Sequence, residues 1–271
     1  MLAYGGKACN TYKTSLKKEK PKQLNDAGYF IFSGRFKNGI TFRVLFDAGP
    51  FGLEPTYAHA HADALSLLVD LDSKPFLIDS GTYNYHPKER KWRNYFRGTS
   101  AHNTVVVDQQ DQAVPGGNML WLSEPKTSLI NCQELEEAII IEAKHDGYCR
   151  LKDPVEHIRS IQINKALNNI VVKDSLLCKG KHKIDMYYHF YNDIHLQQVD
   201  KFKFIAYNGL VKVTITTSVA KKVSIKKGEP NLPLGWHSSK WNSKEPINVL
   251  HFEDEICGNY ESKIIFSINA S

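Results

Sequence analysis

The sequence predicts an all-β protein, a large antiparallel β-sandwich of two sheets with one short helix. Three observations carry this. From residue 119 onward, β-branched and apolar residues alternate with polar ones in run after run, the pattern of strands buried on one face. Turn dipeptides separate the runs: Asp146-Gly147, Lys179-Gly180, Asn208-Gly209 and Lys227-Gly228. No helix-length amphipathic pattern interrupts the strands, and the best helical candidate, Pro87–Arg97, precedes them.

Residues 1–27 are polar, lysine-rich and aperiodic, and read as a linker or the remnant of a junction to another domain; residues 28–271 form the sandwich. Gly28–Gly34 and Gly39–Asp47 predict a first strand pair about a Lys37-Asn38-Gly39 turn. Ala48–Pro55 is a loop bearing Gly and Pro. Leu65–Leu71 and Lys74–Ile78 predict a hairpin turning at Asp72-Ser73. In Pro87–Arg97, proline suits a helix start, and Trp92, Tyr95 and Phe96 share a face. Asn103–Asp108 predicts another strand. Further strands fall at Ala138–Ala143, Ile158–Ile163, Ile170–Leu177, Ile184–Phe190, Lys203–Tyr207, Val211–Thr216, Val223–Ile225, Val249–Phe252 and Lys263–Ile268. The aromatic run Tyr187–Tyr191 reads as core and cross-strand ladder. The loop bearing Trp236 and Trp241 suits either stacking on sugar rings or simple packing.

Polar residues concentrate between Tyr57 and Gln112. His59 and His61 flank a small Ala60, and on an extended chain positions i and i+2 share a face. The hairpin would bring Asp79, at the end of its second strand, near His61 at the start of its first. His102 lies just before the next strand. Two imidazoles and a carboxylate from three strand ends suit a divalent metal such as zinc, with a position left for water or ligand. The residues alone also allow a plainer reading, of polar side chains at a strand end and a loop histidine. Arg93 and Arg97 are either solvated basic surface or a clamp on a carboxylate or sulfate, which a planar guanidinium fits. His182, His189 and His195 are unevenly spaced and read as structural or surface histidines.

Composition sets outer bounds. A chain of 271 residues buries a sizeable core. The longest apolar runs fall far short of the ~18–20 residues of a membrane span, and the N-terminus lacks a signal-peptide core. The net charge of +6 favours acidic partners without choosing among them, and no nucleic-acid motif stands out. Five scattered cysteines, none in C-x-x-C, argue against a disulfide framework.

Several segments together are distinctive: FDAGPFG (Phe46–Gly52), HAHADALSLLV (His59–Val69), FLIDSGTYNYH (Phe76–His86), WRNYFRGTSAHNTVVVD (Trp92–Asp108) and the following Gln109–Gln112. In order and spacing they resemble the heparinase II/III-like polysaccharide lyases, most strongly over Gly28–Leu122. The resemblance implies a C-terminal β-sandwich domain, which an N-terminal α/α-toroid normally precedes. A chain of this length has no room for that toroid.

The resemblance also implies a chemistry: β-elimination on a uronic-acid-containing polysaccharide. A base removes the C5 proton, an acid protonates the leaving oxygen, and the uronate carboxylate is neutralised. The toroid of such enzymes supplies the principal Tyr and an Asn or His neutraliser. By the same resemblance His59 is the active-site histidine, and His61, Asp79 and His102 are ligands to one zinc that is structural. Tyr83 and Tyr85 would contribute hydroxyls, and Asp63 would either orient an imidazole or cap a turn; Arg93 and Arg97, in their clamp reading from the residues alone, would bind substrate. The expected partners are an acidic polysaccharide and a separate toroid domain, without which the chain is not expected to be fully active. The resemblance suggests a bacterial periplasm or cell envelope. The alternative is a non-catalytic carbohydrate-binding or scaffold module that keeps the metal for stability.

Overall fold

The structure, a computed structural model, describes residues 23–24, 27–217 and 220–270. Strands β1 (Gln23–Leu24), β2 (Tyr29–Arg35), β3 (Thr41–Asp47), β4 (Leu67–Leu71) and β5 (Lys74–Leu77) form a five-stranded antiparallel meander. Helix α1 (Arg90–Arg97) and a 3-10 turn (Thr99–Ala101) lead to β6 (Val105–Val107). Then follow β7 (Thr127–Glu134), β8 (Ala138–Tyr148), β9 (Val155–Asn164), β10 (Asn169–Leu177) and β11 (Lys181–His189). The chain continues through β12 (His195–Asp200), β13 (Lys203–Tyr207), β14 (Val211–Thr217) and β15 (Lys222–Lys227). It ends with the hairpin β16 (Trp236–Lys240)–β17 (Ser243–Pro246), then β18 (Asn248–Cys257) and β19 (Tyr260–Ala270).

Eight strands, ordered β12-β13-β14-β19-β10-β9-β8-β7, make one sheet, and β15-β18-β11-β6 make a four-stranded one. The five- and four-stranded sheets meet where Leu77 bridges Phe190 and the Ile78 N–H donates to the His189 carbonyl at 3.0 Å. Together they form the layer opposite the eight-stranded sheet. Alternation drives the assembly. β9 is buried at every second residue, and Ile161 and Ile163 share one apolar core with Phe32, Val44, Val69, Met186 and Phe252 from the other layer. Each such side chain contributes about 1.5–3 kcal/mol by leaving water.

The predicted sandwich and its strand pairs are present. Asp72 and Ser73 both have positive φ, 49° and 62°, as a two-residue hairpin turn matched to strand twist requires. Three boundaries around the Tyr57–Gln112 segment shift. β4 begins at Leu67 because Leu65 turns through φ 61°. The strand predicted over Asn103–Asp108 is only Val105–Val107, and the helix starts at Arg90. Strands β7 and β12 were not predicted, since they are mostly exposed and so lack apolar alternation. The loop bearing Trp236 and Trp241 contains the hairpin β16–β17. Of the predicted linker, Gln23 and Leu24 pair with Phe30 and Tyr29, while residues 1–22, 25 and 26 lie outside the described residues.

Cys132, Cys149, Cys178 and Cys257 are free thiols. Among the described residues no helix is long and apolar enough to cross a membrane. His182 bridges Asp108 and Asp153 at 2.8 Å each, His189 is buried against Asn103, and His195 stacks on Tyr207, so these three are structural or surface groups.

Candidate metal centre and active-site face

His59 and His61 stand on a turn rather than on a strand, so they do not share a face. Tyr57, at φ 53°, starts it, and its carbonyl accepts the Ala60 N–H at 2.9 Å. Ala62, fully buried and small, lets the end of α1 approach: its N–H donates to the Arg97 carbonyl at 2.8 Å. Leu65 then donates to the Asp47 carbonyl at 2.8 Å and holds the left-handed backbone that closes the turn. His61 consequently faces inward and His59 outward.

His61, Asp79 and His102 converge: their ligand atoms lie within 4.8 Å of one another. Asp79 leaves β5 and turns back through Gly81, whose N–H donates to Asp79 Oδ1 at 2.7 Å. Its Oδ2 lies 2.6 Å from His102 Nδ1. Gly81 needs to be glycine. Its φ is 79°, and a Cβ there would sit 2.4 Å from the Ser238 carbonyl of β16. Burial alone would raise Asp79, but His102, His61 and the Gly81 N–H outweigh it and hold the carboxyl well below its usual range. Burial likewise opposes charge on His102, yet Asp79 raises it to about 9. Burial and the neighbouring His102 push His61 down to about 3. The donor set of two imidazoles and one carboxylate fits a divalent ion, and His102 Nε2 is a buried ring nitrogen without a hydrogen-bond partner among the described residues.

The outward face carries the exposed His59, whose Nδ1 lies 2.8 Å from the Tyr85 hydroxyl. Tyr85 in turn packs under the Arg93 guanidinium at 4.6 Å and against Trp241 at 5.4 Å. Tyr83 is placed differently from Tyr85. Its ring packs on Phe96 at 5.4 Å, with Lys244 Nζ 4.7 Å above it. Arg93 and Arg97 are 0% and 1% exposed, which removes the solvated-surface reading. Asp63 is pushed up to about 6, by burial first, with Asp79 adding and His102 opposing. Its backbone carbonyl accepts the Ser66 N–H at 2.9 Å. A groove of about 410 Å³ on the eight-stranded sheet, lined by Ser160, Gln162, Lys173, Glu261 and Lys263 among others, shares no residue with this site.

A polar network behind the site was not predicted. Asn103 donates to the Leu67 and Ile78 carbonyls at 2.8 and 3.0 Å and accepts from the His189 N–H at 2.6 Å. It thereby ties the residue after His102 to the residue before Asp79. Arg159 donates to the Leu65 carbonyl at 2.9 Å and to the Asn103 carbonyl, and pairs with Asp174 at 2.7 and 3.0 Å. His157 Nε2 lies 2.8 Å from the same carboxylate. The signal was available: His157, Arg159 and Asp174 occupy the inward positions of β9 and β10, where alternation calls for apolar residues.

Comparison with known proteins agrees with this architecture. A family model described as heparinase II/III-like, C-terminal, matches residues 16–267. A heparin-sulfate lyase from Pedobacter heparinus is 26% identical over 135 residues, 46% of this chain and 20% of that protein. A heparan sulfate lyase structure from the same organism superposes with TM-score 0.74 at 18% identity, covering 95% of this chain and 37% of that one. A heparinase III structure gives TM-score 0.70 at 13% identity, covering 90% and 36%. At such identities the superpositions establish the fold. The fold and the family match define a β-sandwich domain of the polysaccharide-lyase type. The chain belongs to the heparinase II/III-like C-terminal family, and it spans well under half the length of these relatives.

Proposed function

We propose that this domain forms one wall of a lyase active site that cleaves uronic-acid-containing polysaccharide by β-elimination. The observation that carries the reading is the hydrogen-bonded His59–Tyr85 pair, with His59 exposed two residues from His61 of the partly buried His61–Asp79–His102 cluster. His59 and Tyr85 offer an imidazole and a phenol joined by one hydrogen bond, the group types that move a proton to or from a sugar. His61, Asp79 and His102 would hold one divalent ion, zinc by donor type, whose part is to pin the turn carrying His59. An α/α-toroid domain would complete the site with the principal acid and base and neutralise the uronate carboxylate. Tyr83 supports the wall through packing in this reading.

Each elimination leaves a conjugated double bond that absorbs in the ultraviolet. The test is to incubate the purified chain with heparan sulfate and with alginate, alone and with a family toroid domain added. Absorbance that grows only with the toroid present supports the reading. Retained glycan binding with no absorbance change in either arm would replace it with the non-catalytic binding module.

A further inference from the structure

Arg93 and Arg97 of α1 are buried, and among the described residues neither forms a salt bridge. The hydrogen bonds of Arg93 and Arg97 go to backbone carbonyls: Arg93 Nε to Asn118 at 3.0 Å and Nη2 to Ala58 at 3.5 Å, and Arg97 Nη1 to Asn118 at 3.2 Å. Arg93 Nη1 and Arg97 Nη2 are buried with no hydrogen-bond partner among the described residues. Burial, and then the repulsion of Arg93, push Arg97 down to about 10; Asp111 pulls the other way, but its Oδ1 accepts the Thr99 N–H at 2.7 Å. Buried guanidinium groups normally meet carboxylates or phosphates two-pronged, and leaving one buried charge uncompensated costs several kcal/mol. Here a single carbonyl oxygen, that of Asn118, serves two guanidiniums, the position an anion's oxygen would take. Asn118 follows Gly116 and Gly117, and a Cβ on Gly117 would meet open space. The pair adjoins the active-site face, since Arg93 covers Tyr85 and Tyr85 holds His59.

We propose that Arg93 and Arg97 form an oxyanion site for a sulfate or carboxylate group on a sugar, capped by the Asn118 carbonyl, which the anion displaces. This deepens the reading of the face as a polysaccharide wall and rests on it.

The test is the melting temperature of the full chain in sodium sulfate, in glucuronate and in chloride at equal ionic strength. Wild type should melt several degrees higher in at least one of the two oxyanions than in chloride. Arg93→Gln and Arg97→Gln should abolish that increment and weaken binding at least about tenfold. A response to sulfate alone assigns a sulfated sugar, and one to glucuronate alone assigns a uronate. If a variant does not fold, the Arg93 Nε–H resonance of wild type serves instead, because the anion must break its bond to Asn118; a saturable shift supports the site. No increment over chloride, an increment that survives both substitutions, or an unmoved resonance overturns the proposal. Such a failure leaves the active-site reading intact if the two-domain assay still shows elimination.

Discussion

Replacing Arg159 by leucine tests whether the buried network holds up the site. Arg159 and Asp174 are 0% and 1% exposed, and two hydrogen bonds join them. Removing one partner of such a pair costs about 3–5 kcal/mol, because the other charge stays buried. The Leu65 and Asn103 carbonyls also lose their guanidinium donor, so the loss should reach the upper end of that range. The sign with pH follows from Asp174. Burial opposes its charge, but Arg159 and His157 outweigh that and hold the carboxyl well below its usual range. Its folded value therefore lies below the unfolded ~3.9, so wild type keeps this contribution above about pH 4 and loses it as pH falls further. In Arg159→Leu the carboxyl keeps its burial without its main cation, so its folded value rises above the unfolded one. The variant then gains stability relative to wild type on acidification. Urea unfolding near neutrality and at about pH 5 measures both effects. The double variant Arg159→Leu/Asp174→Leu should recover much of the loss. A loss under about 1 kcal/mol, or one independent of pH, would refute the reasoning.

Wild type supplied with zinc should retain about one ion per chain, and His61→Ala or Asp79→Ala should lose it on elemental analysis; a folded wild type without metal removes the assignment. His59→Ala should keep the metal yet cut turnover of a toroid-complemented assembly by about 10²–10⁴-fold; loss of metal instead would mean that the two histidines have exchanged roles. Gly81→Ala should cost about 2–3 kcal/mol in urea unfolding, since it combines positive φ with a clash against the Ser238 carbonyl. Unchanged stability there would show that the β16–β17 hairpin does not press on the Asp79 turn.

Much of the candidate site was legible because its residue types are unusual where they stand. Asp79 and His102 lie next to readable strands and His61 in the turn that leads into one, and the hairpin does bring Asp79 to His61. The i, i+2 argument for His59 and His61 failed, because the segment is a turn built on the positive φ of Tyr57 and Leu65. Neither residue is a glycine, so no local signal announces that backbone. Arg93 and Arg97 sit in a helix whose exposed face would look the same in sequence. Only the docking of the Asn118 loop and the Ala58 carbonyl over them makes them buried.

The sequence by itself determined the half-buried strands, the tight turns and the sandwich, because period-two alternation and turn chemistry are local properties that each short segment carries alone. The tertiary structure decided which face each polar residue serves. It turned His59 to solvent and His61 to Asp79, gave Tyr83 and Tyr85 different surroundings, and placed Arg159 of the opposite sheet against the Leu65 and Asn103 carbonyls. Those choices depend on contacts between residues far apart in the chain, and hydrogen-bond satisfaction in a buried site is settled only when the layers pack.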